Sequence, residues 1–130
     1  MAFQAKMNIG GTEYRVLHCS FELHRDVDGI GLVASKVKGG QINLEIEATD
    51  DHSTWDWMVD EFATKDGKVT FMKSDSNAKL IELEWKKGYV VQFSQSFDSL
   101  GDNPMTVHFT VSAHEISLGG TKHTNPWPKS

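Results

Sequence analysis

The sequence predicts a mainly β protein, an antiparallel β-barrel or two-sheet sandwich with one α-helix inserted midway. Three observations lead to this prediction. Apolar and polar side chains alternate along most of the chain, glycine pairs separate the alternating segments, and a single stretch has the spacing of an amphipathic helix instead. The length of 130 residues fits one domain with its own core.

The first predicted unit is a β-hairpin. Residues 3–9 alternate with period two, and Gly10-Gly11 supplies the positive-φ positions of a tight turn. The second strand begins near Tyr14, and its alternation changes phase at Val16–Leu17. We expect a bulge or a sharp bend at that point.

Further strands follow along the chain. Gly39-Gly40 precedes the clearest of them, in which one face carries Ile42, Leu44, Ile46 and Ala48. Lys86-Lys87-Gly88 separates two alternating segments and is predicted to form either a tight turn or a bulge. The other strand segments lie at residues 69–71, 81–85, 89–93 and 105–113, and the last one changes phase before Ile116.

One helix interrupts the strands. An apolar stripe at i, i+3, i+4 and i+7 predicts its buried face, and the stripe consists of Trp55, Met58, Val59 and Phe62. Residues 50–53 offer capping side chains before it, and Asp66-Gly67 is expected to end it and to lead into the next strand. The barrel domain is predicted to cover residues 1–118, and an irregular C-terminal tail is predicted over residues 119–130.

The composition limits the function. The net charge of −5 disfavours sequence-independent binding to nucleic acid, which depends on clustered Lys and Arg. No apolar run approaches the roughly 20 residues of a membrane helix, and the first residues lack the pattern of a signal peptide. We therefore expect neither membrane insertion nor signal-dependent export. The single cysteine, Cys19, suits assembly in a reducing cytoplasm.

The histidines and the cysteine do not form a predicted catalytic or metal site. His108 and His114 share a strand face but are separated by roughly 20 Å, too far to bind one metal ion. His18 and Cys19 are adjacent on a strand, so their side chains lie on opposite faces and cannot form a nucleophilic pair. Cys19 is interpreted as a buried structural residue in phase with Phe21. We predict no catalytic residue, no metal and no cofactor.

The acidic and aromatic residues also receive structural interpretations. Glu45 and Glu47 lie about 7 Å apart on one strand face, a spacing found in glycosidases, but alternating glutamates on a solvated sheet face are commoner. The aspartates at 50–51 are interpreted as helix caps. Core and helix packing is the interpretation of the large aromatic side chains, namely Trp55, Trp57, Phe62 and Trp85.

An apolar loop points to a contact that covers it. The segment from Asp26 to Lys38 is too irregular for a core strand, yet it carries Val27, Ile30, Leu32 and Val33. Burial of each such side chain is worth roughly 1.5–3 kcal/mol, so we expect something to cover them. The residues alone leave two covers open, another molecule or the loop's own barrel.

Several stretches of the chain resemble one family in their order and spacing. They are residues 2–20 (AFQAKMNIGGTEYRVLHCS), 39–47 (GGQINLEIE), 50–62 and 103–113 (NPMTVHFTVSA). In these stretches the chain is similar to the haemolysin-coregulated protein family, the tube proteins of type VI secretion systems, and in particular to its short Bacteroidetes-type branch. The resemblance extends over roughly residues 2–117, nearly the whole chain.

This resemblance implies a barrel of the tail-tube type, with six copies in a ring and rings stacked into a tube. The implied partners are further copies of the chain, sheath proteins, the spike protein and effector proteins, with no nucleic acid. The tube would be assembled in the bacterial cytoplasm and exported by type VI secretion to the extracellular space or a target cell. In this family the loop packs on the neighbouring subunit, which by resemblance makes interface residues of Val27, Ile30, Leu32 and Val33.

Two other functions compete with this interpretation. A phage-like tail tube protein of another contractile injection machine has the same fold, and the sequence does not separate the two. A small-ligand-binding β-barrel requires an apolar lumen inside each monomer, whereas the alternating face of this chain is sized for a packed core. An enzyme is the least favoured class, because the sequence contains no recognisable catalytic site.

Overall fold

The computed structural model describes residues 3–49, 52–73, 79–101 and 105–127. These residues form seven strands and one helix. In chain order they are β1 (Phe3–Ile9), β2 (Thr12–His24), β3 (Lys38–Glu47), α1 (Ser53–Val59), β4 (Lys65–Lys73), β5 (Lys79–Phe97), β6 (Met105–Leu118) and β7 (Thr121–Thr124). Each strand pairing is antiparallel, so the predicted antiparallel β fold with one inserted helix is confirmed.

The strands close into a barrel. Their order in the sheet is β3-β2-β1-β4-β5-β6-β7, and β3 also pairs with β6, so six strands form a closed ring and β7 extends the sheet from β6. Closure depends on long strands that change partners along their length. In β2 the register shifts between Val16 and His18, which confirms the bulge expected from the change of phase.

β5 is one continuous strand through Lys86-Lys87-Gly88. Lys87 has a positive φ of 54°, and the register with β4 shifts at this point. The Asp66 carboxylate accepts a hydrogen bond from the Lys87 backbone N–H at 2.9 Å, which holds the irregular backbone in place. Of the two predictions for this segment, the bulge is therefore right and the tight turn is wrong.

The barrel interior is filled with side chains, as expected for a small barrel with a packed core. The largest fully buried ones are Trp85, Phe109, Met7, Ile42, Leu44, Leu83, Val69 and Val111. Trp85 donates a hydrogen bond from Nε1 to the Lys65 carbonyl oxygen at 3.1 Å, so its polar atom is satisfied. Gly67 lies against the same indole, and a Cβ atom at this position would be 2.4 Å from Trp85 Cζ2. The predicted role of Asp66-Gly67 as the helix end is wrong, because both residues lie in β4.

α1 buries its predicted face only in part: Met58 of the predicted stripe packs against the core, but the most buried apolar residue lies outside the stripe. Trp57 is its buried large residue, whereas Trp55 is 55% exposed and Phe62 is 85% exposed. The helix ends at Val59, so the i+7 position of the predicted stripe lies outside it. Trp57 Nε1 donates a hydrogen bond to the Gly88 carbonyl oxygen at 3.1 Å, which fixes this side of the helix against the barrel. The interpretation of Phe62 as a packed residue is wrong, whereas Trp55 is half-exposed and keeps an edge-to-face contact with Phe93, with 5.5 Å between ring centroids.

The N-terminus of α1 begins after His52. His52 is the N-cap residue and makes no side-chain cap hydrogen bond; its Nδ1 lies 3.0 Å from Asp56 Oδ2 instead. The aspartates at 50–51, which the sequence suggested as caps, lie outside the described residues. In the described part of the chain no helix is long and apolar enough to cross a membrane.

β7 corrects the expected irregular tail. Gly119 and Gly120 have positive φ values of 61° and 95° and connect β6 to β7, which pairs back onto it. The prediction that residues 119–130 lack regular structure is wrong for residues 121–124, because the glycine pair forms a hairpin turn and continues the sheet. Residues 128–130 lie outside the described part of the chain.

Candidate self-association surfaces

Four strand segments form a sheet with a polar outer face, which we call the polar sheet. It consists of residues 17–24 of β2, the whole of β3, residues 105–112 of β6 and residues 89–97 of β5. The register aligns its outward side chains across the strands, with one row of Ser20, Asn43, Thr110 and Gln92 and another of His18, Glu45, His108 and Ser94. Within the first row, Thr110 Oγ1 donates to Asn43 Oδ1 at 2.7 Å. The polar face thus follows from strand alternation, since the opposite face lies on the core.

Both outer edges of the polar sheet are free of strand partners within the described part of the chain. The ladder between β4 and β5 stops at Gly88, so residues 89–97 keep one side unpaired. The ladder between β1 and β2 stops at Val16, so residues 17–24 keep the side away from β3 unpaired. Each free edge is a row of backbone N–H and C=O groups that can pair with another chain.

The composition of these two edges does not block pairing. Soluble proteins commonly protect free strand edges with charged side chains or proline. Residues 89–97 contain no Asp, Glu, Lys, Arg or Pro, and residues 17–24 contain only Glu22. Each edge also exposes an apolar side chain, Val91 at 50% and Leu23 at 51%. Each edge contains one register shift, between Val90 and Gln92 or between Phe21 and Leu23, and the regular stretches at residues 92–97 and 18–21 are suited to association with a partner strand.

The loop between β2 and β3 displays the four apolar residues that the sequence singled out. Their exposed fractions are 61% for Val27, 89% for Ile30, 63% for Leu32 and 49% for Val33. An antiparallel bridge joins Val27 to Val33, so the four residues belong to one small hairpin-like turn. In the single chain the barrel does not cover them, which leaves an apolar surface available to another molecule.

Asp28 gives this loop its shape. Its Oδ1 accepts hydrogen bonds from the backbone N–H groups of Ile30 and Leu32, both at 3.0 Å. The Asp28 backbone N–H donates to the Leu32 carbonyl oxygen at 2.9 Å. Aspartate commonly organises turns in this way by bonding to the following backbone. The loop is therefore ordered by local polar bonds, without burial of its apolar side chains.

The two ends of the loop are held together by polar contacts. Lys38 Nζ lies 2.6 Å from Asp26 Oδ2, and this hydrogen bond and the lysine charge lower the pKa of the Asp26 carboxyl. The Asp26 backbone N–H donates to Ser35 Oγ at 2.8 Å. An exposed ion pair adds little to stability, but here it closes the base of the loop.

The residues considered for catalysis or metal binding do not form such a site in the described part of the chain. No group of three or more His, Cys, Asp or Glu side chains there is arranged to hold a metal ion. His18, Glu45 and His108 do share one row of the polar sheet, which the sequence could not show because it depends on cross-strand register. Glu47 Oε2 accepts a hydrogen bond from Arg15 Nη1 at 3.0 Å on the surface.

Cys19 has the environment of a structural residue. It is half-buried against the core, and this burial raises the pKa of its thiol to about 11. A thiol with a raised pKa stays protonated at neutral pH, and the thiolate is the reactive form. The environment agrees with the structural interpretation of this residue.

A family comparison identifies the chain. Residues 1–128 match the family described as Hemolysin coregulated protein Hcp (TssD). The chain belongs to the Hcp family. The resemblance stated from the sequence is thereby confirmed, and the Hcp family is a family of structural tube proteins of type VI secretion systems.

Solved structures share the fold. Hcp1 from Flavobacterium johnsoniae is 37% identical to the chain, with a TM-score of 0.89 and coverage of 94% of this chain and 99% of that one. Hcp1 from Salmonella typhimurium is 14% identical, with a TM-score of 0.75 over 95% of this chain and 93% of that one. The PVC sheath-tube complex of an extracellular contractile injection system is 14% identical, with a TM-score of 0.54 over 90% and 88%. The last two show the fold alone. A search of curated protein sequences found no match.

Proposed function

We propose that this Hcp-family chain assembles into hexameric rings that stack as the inner tube of a type VI secretion system and carry effector proteins for export. The observation that supports this most directly is the pair of free, almost uncharged edges on the polar sheet. The proposal includes no catalytic role, metal or cofactor, because the candidate residues have structural explanations.

The two edges suit ring formation. Residues 17–24 and residues 89–97 lie on opposite sides of the polar sheet, so a copy that pairs through one edge keeps the other for a further copy. A contact between unlike surfaces of identical subunits is heterologous, and it closes into a ring when the rotation per copy fits. Addition of a strand to a free edge gains affinity from main-chain hydrogen bonds. In such a ring the polar sheets join into one continuous surface.

We infer that the outer face of the polar sheet lines the channel of the ring. Its rows consist mostly of hydroxyl, amide and imidazole groups, and β3 adds the charged residues Glu45 and Glu47. A surface with little exposed apolar area does not hold passing proteins by hydrophobic contact. This character is appropriate for a channel through which effectors move.

The apolar loop is proposed to pack on a neighbouring subunit. Its four exposed residues gain roughly 1.5–3 kcal/mol each when they are fully covered. The hydrogen bonds around Asp28 shape the loop in advance, which lowers the entropy lost on docking. The proposed interface residues are those of the sequence prediction, namely Val27, Ile30, Leu32 and Val33.

The wider partners are proposed from membership in the family. They are the sheath proteins, the spike protein and the effectors of the secretion machine. We propose assembly in the bacterial cytoplasm followed by export by type VI secretion, without nucleic-acid binding or direct membrane insertion.

A charge placed on the free β5 edge tests ring formation. Val91→Lys adds a cation at an exposed edge residue, so the monomer should stay folded while edge pairing is blocked. Leu80→Lys is the matched control, because Leu80 is 49% exposed in the first part of β5, where the strand is paired with β4 and lies outside the free edge of residues 89–97. Light scattering and negative-stain imaging should show rings with a central hole for the wild type and the control, and monomers for Val91→Lys. Rings in Val91→Lys, or a wild type that stays monomeric at every concentration, would contradict the proposal.

A second candidate is a tail tube protein of another contractile injection machine. The fold similarity to the PVC sheath-tube complex favours it, although that likeness shows the fold alone. The two candidates differ in their partners. Co-assembly with a type VI sheath and spike from the same genome supports the first, and co-assembly with the sheath of another contractile machine supports the second.

A further inference from the structure

The apolar loop joins the barrel through a two-glycine hinge. Gly39 and Gly40 have φ values of 143° and 101°, which L side chains rarely adopt. A Cβ atom at Gly39 would lie 2.6 Å from the Glu22 carbonyl oxygen, so glycine is also required for space. Two successive glycines lose more conformational freedom on ordering than any other pair. The ladder with β2 holds one side of these two glycines, because Gly39 pairs with Leu23, but the ladder with β6 begins only at Gln41, so in the described part of the chain no strand holds their other side.

The C-terminal strap, residues 119–127, supplies a contact on that side through Asn125. Asn125 Nδ2 donates to the Gly39 carbonyl oxygen and to the Ala113 carbonyl oxygen, each at 2.9 Å. The same nitrogen occupies the space above Gly40, where an added Cβ atom would be only 2.5 Å away. One amide group thus ties the hinge to β6 and fills the gap beside it.

The strap in turn holds Asn125 in place. The Asn125 backbone N–H donates to the His114 carbonyl oxygen at 2.7 Å, and its Oδ1 lies 3.1 Å from His123 Nε2. Two residues later, the Trp127 ring stacks on His114 with 5.2 Å between ring centroids and packs against Tyr89 at 5.8 Å. The position of the Asn125 side chain is therefore fixed by the residues on either side of it in the sequence, His123 before it and Trp127 after it.

The loop itself is already rigid and its base is paired with β2, so its orientation further depends on how the hinge is held on the β6 side. Asp28 orders the turn, and the pair of Asp26 and Lys38 closes its base. A preformed element binds more tightly when the joint that carries it is also fixed, because less freedom is lost on docking.

We propose that Asn125 is a positioning residue that locks the Gly39–Gly40 hinge, so that the C-terminal strap sets the orientation of the apolar loop for docking on a neighbouring subunit. The docking half of this inference rests on the proposed function. The strap, which the sequence predicted as irregular tail, then has a defined task in assembly.

Asn125→Asp tests the lock with almost no change in shape. A carboxylate oxygen replaces the donor that faces the Gly39 and Ala113 carbonyl oxygens, so two hydrogen bonds become repulsive contacts. Asn8→Asp is the matched control: it adds the same charge, and its Oδ1 still accepts the Gly11 backbone N–H, at 3.2 Å in the wild type. Hydrogen exchange of residues 38–41 in the monomer and the concentration at which rings form are measured for all three proteins.

The expected result is faster exchange at residues 38–41 and an assembly concentration raised about tenfold in Asn125→Asp, with neither change in Asn8→Asp. Unchanged exchange at the hinge overturns the lock. Faster exchange with rings at the wild-type concentration overturns its role in assembly. If Asn125→Asp does not fold, Asn125→Ala, which removes the bonds without adding charge, is judged by the same criteria. A wild type without rings overturns the proposed function, and the exchange comparison still decides the lock.

Discussion

The β2–β3 loop and the α1 segment both connect strands and both carry large apolar side chains, but only α1 buries one of them fully against the barrel. In the loop, Ile30 is 89% exposed, and the backbone is held by the Asp28 carboxylate. In α1, Trp57 is 3% exposed, and its Nε1 donates to the Gly88 and Ala63 carbonyl oxygens at 3.1 and 3.2 Å. Apolar content is similar in the two segments, so it does not decide burial.

The difference lies in the polar bonds that each segment makes. The loop satisfies its backbone within itself, so it does not need the barrel and its apolar side chains stay outside. The indole of Trp57 finds one of its two acceptors, the Gly88 carbonyl oxygen, on the barrel, so burial of the ring and satisfaction of its N–H occur together. An apolar segment that is ordered without burial is suited to a contact between subunits, and changes in the two segments should therefore affect different quantities.

Leu32→Asp should have the largest effect, and only on assembly. If the loop docks on a neighbour, the substitution buries an unpaired carboxylate at every interface around the ring, at a cost of several kcal/mol each. Leu32 is 63% exposed in the single chain, so the monomer should keep its stability within about 0.5 kcal/mol. Light scattering should show monomers, with strand-type circular dichroism and cooperative melting retained. Intact rings would show that the loop is not the contact, and loss of the monomer fold would place the loop in the core.

Trp57→Ala should have the opposite profile. Removal of a buried tryptophan leaves a cavity beside Phe109 and two carbonyl oxygens without their donor, and the monomer should lose about 3–5 kcal/mol of unfolding free energy. Trp55→Ala is the matched control on the same helix, because Trp55 is 55% exposed. Urea unfolding should show a loss at least twice as large for Trp57→Ala as for the control. Equal losses would mean that the predicted stripe, with Trp55 in it, describes the packing after all.

The sequence predicted the fold well because strand alternation is a local property. The hairpin at Gly10-Gly11 and the bulge after Val16 both follow from the order of neighbouring residues. The helix face was predicted only in part, because the i+7 stripe assumed a longer helix than Ser53–Val59, and the partner of Trp57 lies on a distant strand. The free edges and the Asn125 contacts were missed for a related reason, since both depend on which strands become neighbours.

Gly67→Ala and Gly29→Ala compare what one added methyl group does to stability in the barrel and in the loop. On the barrel side a Cβ atom at Gly67 would meet the Trp85 indole at 2.4 Å, and the strain should cost about 1–3 kcal/mol. Gly29→Ala is the matched change in the loop, where the added Cβ meets nothing within 4 Å and φ lies outside the left-handed region. The loop variant should be neutral or more stable by up to about 1 kcal/mol. Thermal melts that rank the two variants in the reverse order would contradict the packing around Trp85.

Cys19 is the intermediate case, half-buried on β2 upstream of the exposed loop, and its effect should be the smallest and dependent on pH. Burial raises the pKa of the thiol from 9.0 to about 11, so between these values the folded state binds more protons than the unfolded state. Stability from this group is therefore fully present below about pH 9 and falls as pH rises toward 11.

Urea unfolding of the wild type and Cys19→Ala should differ by a constant amount, about 1 kcal/mol, up to pH 9, and the difference should then shrink. Because lysines and tyrosines titrate in both proteins, only the difference reports on Cys19. A difference that stays constant or grows above pH 9 would show that the thiol is not desolvated, and that this part of β2 resembles the exposed loop more than the buried face of α1.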